Sequence, residues 1–264
     1  MIASLPMYDW PEMRAATDAW WAGLSRSLGR EGVTDRPDAL LREGDFKQPW
    51  SRPDLLLSQT CGFPLVESFA PNLSILGSPA YAAKGCDGPT YCSMIIACNS
   101  VAPVSFRGKV AAINGTDSLS GYLALGAFFS GVAEAGEVFF GRVEVTGGHV
   151  ASMAAVRAGR ADVAAIDCVS FALAQRYRPD LVDGLTIIGE SPSAPSLPYV
   201  TASAHDRDVR ARIEAGVRRA FDDVDLGAVR EALLLDKICL LPPDSYDREV
   251  QRLKAAAEKI KWPS

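Results

Sequence analysis

The nine residues Asn114-Gly115-Thr116-Asp117-Ser118-Leu119-Ser120-Gly121-Tyr122 separate two apolar runs. The run before them, KVAAIN (109–114), reads as a strand. The run after them, through Ser130 to the stop at Gly131, reads as a helix. Hydroxyls and glycines therefore crowd a strand-to-helix junction. The first turn of a helix leaves backbone N–H groups unpaired and carries a partial positive charge. Ser118 and Ser120 add hydroxyl donors, and Gly121 lets a ligand approach the backbone closely. Groups of these types can grip a small anion without any basic side chain. A plain Ser or Asp N-cap draws on the same residues, so spacing alone leaves both readings open. No G-K-[ST] follows, so the stretch is not a P-loop.

Two further residues fall at similar junctions. His149 follows Gly147-Gly148 after the strand-like RVEVTGG (142–148), and opens VASMAAVRAG, a helix ended by Gly159. Asp167 ends the buried strand ADVAAID (161–167) and starts the helix CVSFALAQRY (168–177). It can cap that helix or accept from a ligand hydroxyl or amine. In open parallel sheets, ligands sit beyond the carboxyl ends of strands, and all three junctions belong to one inferred sheet. Nearer the N-terminus, Tyr8, Thr60 and Tyr81 close the strand-like runs MIASLPM, DLLLSQT and LSILGSP. Tyrosine can wall a site while keeping a polar tip.

No nucleophile is paired with a base. The patterns G-x-S-x-G, H-E-x-x-H and G-x-G-x-x-G are missing from the sequence, and His205 sits in the solvated AHDRD. No residue is read as catalytic, and no cofactor is implied. Six cysteines without a C-x-x-C pair, and only two histidines, supply a metal site poorly. The cysteines read as buried thiols. A disulfide, Cys86 with Cys92, is expected only if the protein is exported.

Positioning these groups takes many elements. Pro11 opens a helix on which Met13, Ala16, Trp20, Leu24 and Leu28 recur at helical spacing. Strands are read at 1–7, 54–60, 73–79, 91–99, 109–114, 142–148, 161–167, 185–191 and 198–203, with a helical C-terminus at 206–222, 227–235 and 244–260. Strands alternating with helices imply an α/β fold with parallel-type sheets and right-handed crossovers. Nine strands are too many for one small sheet. Two lobes are expected: 1–98 plus 192–264, and 99–191 carrying the anion-binding loop. The chain would cross near Asn99–Pro103 and return near Ser191–Pro198.

A net charge of -5 argues against a nucleic-acid partner, which needs a basic face. No run reaches the roughly 20 apolar residues of a membrane span. MIASLPMYDW has neither a basic n-region nor an apolar h-region, so the sequence as written reads as cytoplasmic. A trimmed or lost leader would make it periplasmic.

With those residues in view, the chain resembles the PhnD-like phosphate/phosphite/phosphonate substrate-binding proteins of ABC importers. SLPMYD, DSLSGY and GGHVASMAAVRAGRADVAAID carry the resemblance, over about residues 1–200. It implies a two-lobed periplasmic-binding-protein-like fold of type II, with two hinge crossings. It implies a non-catalytic monomer that captures a small anion, most of all a phosphorus oxoanion, for an ABC permease. Ser118, Leu119, Ser120, Gly121 and Tyr122 would hold the oxoanion, and His149 and Asp167 would line the same cleft. Tyr8, Thr60 and Tyr81 would face them from the other lobe, and hinge closure would bury the ligand. Leu119 departs from the pattern, because the family's loop usually has a hydroxyl residue there. The missing leader keeps two alternatives in view: a cytoplasmic enzyme of the same fold, of the menaquinone futalosine-pathway type, and a cytosolic ligand sensor. A LysR-type sensor would need a DNA-binding helix-turn-helix before the first strand, where the sequence has no room for one.

Overall fold

The computed structural model describes residues 1–263. The chain divides into two compact α/β units. One holds Met1–Ala82 and Pro195–Pro243; the other holds Ala83–Ala194 and the chain from Asp244 on.

The first unit is built on a five-stranded sheet in the order Ile2–Ser4, Leu55–Gln59, Tyr199–Ala202, Leu73–Tyr81, Leu235–Cys239. Ile2–Ser4 and Leu55–Gln59 run parallel, while Tyr199–Ala202 lies antiparallel to both of its neighbours. The expected N-terminal helix forms at Arg14–Arg30, entered through a tight turn at Pro11–Met13. It packs on the helix Arg207–Asp222. Between them, Trp20 lies edge-on to Phe221, 5.0 Å between ring centroids, and donates Nε1 to the Tyr199 hydroxyl at 2.9 Å. Burial pushes the Tyr199 phenol well above its ordinary pKa, so it stays a neutral partner for the indole.

The second unit has its own five-stranded sheet, ordered Thr186–Glu190, Ser93–Ala97, Val163–Asp167, Val110–Ile113, Arg142–Val145. The last three strands are mutually parallel, and Ser93–Ala97 runs antiparallel to Val163–Asp167 and Thr186–Glu190. Both sheets are therefore mixed, where the alternation of elements suggested parallel ones. Val163–Asp167 is central, and all five of its residues are buried, which explains its unbroken apolar run.

Three features differ from the sequence expectations. First, Leu235–Cys239 is a strand paired antiparallel with Leu73–Tyr81, where a helix is expected through residue 235. Leu234 adopts φ 56, outside the helical region, and turns the chain onto the sheet edge. Second, the strand Ser93–Ala97 belongs to the second unit, because its partners are Val163–Asp167 and Thr186–Glu190. The division accordingly falls at 82/83 and 194/195, where 98/99 and 191/192 are expected. Third, the last helix, Ser245–Ala257, returns to the second unit, so the chain passes between units a third time, at 243/244. Its Val250, Leu253 and Ala257 are buried. Beyond it, Ile260 joins a core with Phe106, Phe129, Phe139 and Phe140, and Trp262 stacks on Phe140 with 5.5 Å between ring centroids.

Phe129 is the centre of that core. It is fully buried, and its ring lies 5.0 to 5.9 Å from those of Phe106, Phe128, Phe139 and Phe140. Truncation removes the ring's transfer energy and leaves a cavity in a close-packed interior. Phe129→Ala is expected to cost about 3–5 kcal/mol in urea or thermal unfolding. A loss below about 1 kcal/mol would show that this cluster does not organise the second unit.

Candidate functional site

Parallel pairing of Val110–Ile113, Arg142–Val145 and Val163–Asp167 sends their carboxyl ends to one edge of the sheet. Asn114, the segment Thr146–His149 and Asp167 emerge there. Ser93 joins them, because it pairs with Asp167 at the start of an antiparallel strand. The three junctions singled out in the sequence thus meet in space within the second unit.

The meeting point is His149. Its Nε2 lies 2.9 Å from Ser120 Oγ, 3.3 Å from Asp167 Oδ2 and 3.5 Å from Asn114 Nδ2. The His149 side chain is 11% exposed and that of Asp167 only 4%. A proton on Nε2 satisfies both the carboxylate and the hydroxyl oxygen, and it leaves the Ser120 O–H free to donate elsewhere. The ring's Nδ1 is buried and makes no hydrogen bond of ordinary geometry. Burial lowers the His149 pKa below 6.5, and the Asp167 carboxylate and the Ala165 carbonyl only partly offset it.

Asp167 takes the capping role open to it in the sequence, and its second oxygen faces His149. Its Oδ1 accepts from the Ser170 amide at 2.8 Å, capping the helix Cys168–Tyr177, while Oδ2 faces His149. Ser118 is likewise an N-cap, its Oγ accepting from the Gly121 amide at 2.9 Å. The turn it caps, Leu119–Leu123, is a wide π-helical turn running into the α-helix Ala124–Phe129. Ser93 Oγ donates to the Ser120 carbonyl at 2.8 Å and pins that turn to the sheet. Thr146 Oγ1 lies 2.7 Å from Ser152 Oγ and steadies the entry to the His149–Arg157 helix.

Other expected site residues are placed differently. Leu119 is buried and offers no side-chain donor. The Tyr122 ring packs on Trp262, 4.6 Å between centroids. It lines a pocket of about 290 Å³ with Ile113, Thr116, Val143 and Val145. In the first unit, Tyr8 and Tyr81 meet edge to face at 5.6 Å. The Tyr81 hydroxyl accepts from Gln59 Nε2 at 2.8 Å, and Thr60 is fully buried. These tyrosines border a small cavity with Leu5, Trp20, Gln59 and Tyr199. Asn114 and Ser93 are the residues that the sequence reading passes over. Asn114 follows a strand's carboxyl end, the signal that picked out Asp167, whereas Ser93 reaches the same sheet edge as the first residue of an antiparallel strand.

Among the described residues, no cluster of His, Cys, Asp or Glu is placed to hold a metal ion, and no helix is long and apolar enough to cross a membrane. The arrangement offers hydroxyls, amides and an imidazole around a buried carboxylate. Such a set can bind and orient an oxygen-rich ligand.

Residues 80–234 match the family model of ABC-transporter phosphonate periplasmic substrate-binding proteins, and this is more than half of the chain. The chain belongs to that family. Its members bind a substrate for a transporter and are not enzymes. None of the curated proteins matches the chain in sequence. Among solved structures it is similar to PhnD1 of Prochlorococcus marinus in complex with methylphosphonate. That likeness has a TM-score of 0.73 at 13% identity and covers 97% of this chain and 98% of that one. A Xanthomonas citri protein bound to ATP matches at TM-score 0.70 and 15% identity, over 98% and 97% of the two chains. The binding component of a Pseudomonas aeruginosa ABC phosphonate transporter matches at 0.71 and 14%, over 97% and 88%. At these identities the likenesses establish the fold, the two-lobed periplasmic-binding-protein architecture.

Two predictions test the geometry. A Cβ built on Gly121 would lie 1.8 Å from Asn114 Oδ1, so Gly121→Ala must displace the Asn114 amide. The substitution is expected to destabilise by about 1–3 kcal/mol. Asn114→Ala in the same chain should recover most of that loss, measured as a double-mutant cycle, and simple additivity would refute the contact. The second concerns pH. A folded-state His149 pKa below 6.5 means that the unfolded chain binds more protons. Stability from this group is therefore present above pH 6.5 and is lost as pH falls toward the folded value. His149→Gln should flatten the fall in stability below pH 6.5, and an unchanged slope would show that the ring is not desolvated.

Proposed function

We propose that the protein captures a small phosphorus oxoanion of the phosphonate, phosphite or phosphate class, and that the Ser118–Gly121 turn with His149 is the grip. The observation that carries this reading is the 2.9 Å approach of Ser120 Oγ to His149 Nε2 at the edge where three parallel strands end. A hydroxyl already held by the imidazole keeps its own hydrogen for a ligand oxygen. The amides of the adjoining turn add partial positive charge. Asp167 then serves as acceptor for a ligand hydroxyl or as the counter-charge that steadies an imidazolium. On this reading Tyr8, Thr60 and Tyr81 are the ligand contacts contributed by the first unit. The family description supports a periplasmic setting and delivery to an ABC permease, and we infer that a monomer does this. PhnD1 of P. marinus holds methylphosphonate and the X. citri protein holds ATP, so phosphorus oxoanions recur among similar folds.

The test is a thermal-shift and calorimetry panel of phosphate, phosphite, methylphosphonate, 2-aminoethylphosphonate, ATP, sulfate and malate. A ligand at a hundred times its Kd should add about 2.7 kcal/mol of stability. Ser120→Ala and His149→Ala should each weaken binding at least about tenfold, since a hydrogen bond to an anion contributes roughly 1.5–3 kcal/mol. Response to malate alone, or unchanged affinity in both variants, would overturn the assignment.

A further inference from the structure

Beside the cluster lies a group of thiols that anion binding does not use. Cys86 Sγ is 3.3 Å from Cys168 Sγ, and Cys92 interacts with Cys168 from the other side. None of the three is in a disulfide. Cys86–Asp87 is the edge strand of a small three-stranded sheet and pairs with Thr90–Tyr91, which Cys92 directly follows. Cys168 is the first residue of the helix capped by Asp167, and its amide donates to the Cys92 carbonyl at 3.0 Å. Cys86 is half-buried, whereas Cys92 and Cys168 are 5% and 1% exposed.

We propose that Cys86 and Cys168 are a redox-modification site, closing to a disulfide on reaction with a low-molecular-weight disulfide oxidant. The proposal is independent of the ligand. The balance is that of thiol–disulfide exchange. The Cys86 thiolate, on the accessible side, attacks one sulfur of the oxidant; the oxidant's S–S bond breaks and one thiolate leaves. The Cys168 sulfur then attacks Cys86 Sγ and expels the second thiolate. The two protein protons end on the two released thiols, and two electrons pass to the oxidant. A disulfide needs the sulfurs at about 2.05 Å, so the starting contact must close by a little over 1 Å, a short movement for the two-residue edge strand that carries Cys86. Hydrogen bonding among the sulfurs and burial hold Cys92 and Cys168 above the ordinary thiol pKa. This directs first attack to Cys86. The family is described as periplasmic, a compartment in which disulfides persist.

The cross-link would close a loop spanning 82 positions and tie that edge strand to the residue after Asp167. The experiment uses the whole chain, reduced with dithiothreitol or treated with excess oxidised glutathione. Iodoacetamide labelling and peptide mass spectrometry locate the modified sulfurs. The expected result is one Cys86–Cys168 peptide pair two hydrogens lighter than the thiols, with Cys92 still available to alkylation after unfolding. Tm should rise by about 5 °C or more on oxidation, because long loops gain most from closure, and dithiothreitol should reverse the rise. Cys92→Ala should keep both the cross-link and the shift, while Cys86→Ala should lose both. A stable glutathione adduct on Cys86, a Cys86–Cys92 cross-link, no reaction, or an unchanged Tm would each overturn the proposal.

Discussion

A carboxylate held out of water in the second unit constrains everything around it. Asp167 is almost fully buried, and a buried charge is tolerated only when its oxygens are hydrogen-bonded. One oxygen takes the Ser170 amide and so fixes where the helix Cys168–Tyr177 begins. The other faces the first residue of the helix His149–Arg157. Register does the rest. Asp167 pairs with Ser93, whose hydroxyl holds the Ser120 carbonyl, and Ser120 closes the ring of contacts on His149. Ends of several separate elements are thereby linked, directly or through His149, to one acidic residue.

That convergence decides how an acidic protein can hold an anion. With a net charge of -5, long-range attraction does not help. No lysine or arginine is among the contacts of His149. The proposed grip would rest on hydroxyls, amides and a ring whose pKa burial has lowered. An arriving oxoanion adds negative charge next to that ring and favours the protonated form, while Asp167 already stands ready as its counter-charge. On the proposed reading, ligand binding and uptake of a proton by His149 would be linked, and the site would gain positive charge only with the anion in place.

Much of this was legible in the sequence, and the reasons are specific. Val163–Asp167 was readable because a strand buried on both faces must be an unbroken apolar run. Ser118, His149 and Asp167 were readable because chemistry collects where parallel strands end. Asn114 and Ser93 escaped notice, since an Asn before Gly resembles a turn and a Ser at a strand start resembles nothing. Their roles depend on which strands are neighbours, a tertiary fact. The strand Leu235–Cys239 was missed for the same reason: ALLLDKIC has the composition of a helix, and only the open edge of Leu73–Tyr81 makes it a strand. The unit boundary moved because pairing partners, not sequence proximity, assign Ser93–Ala97.

The same logic locates selectivity. The turn that would hold the anion opens a helix whose other end, Phe129, is locked into the aromatic core, so its donors have little freedom to adapt. A rigid set of neutral donors discriminates by geometry: an oxygen either meets a donor or leaves it unpaired, and an unpaired buried group costs about 1–3 kcal/mol. Leu119 bears directly on this. Its side chain is buried and carries no donor, so position 119 could supply only its backbone to the proposed grip. On that reading, ligand choice among oxoanions would fall to Ser118, Ser120 and His149 on one side and to the depth of Asp167 on the other. Ligands whose oxygens satisfy those side chains are favoured over equally charged ones that do not.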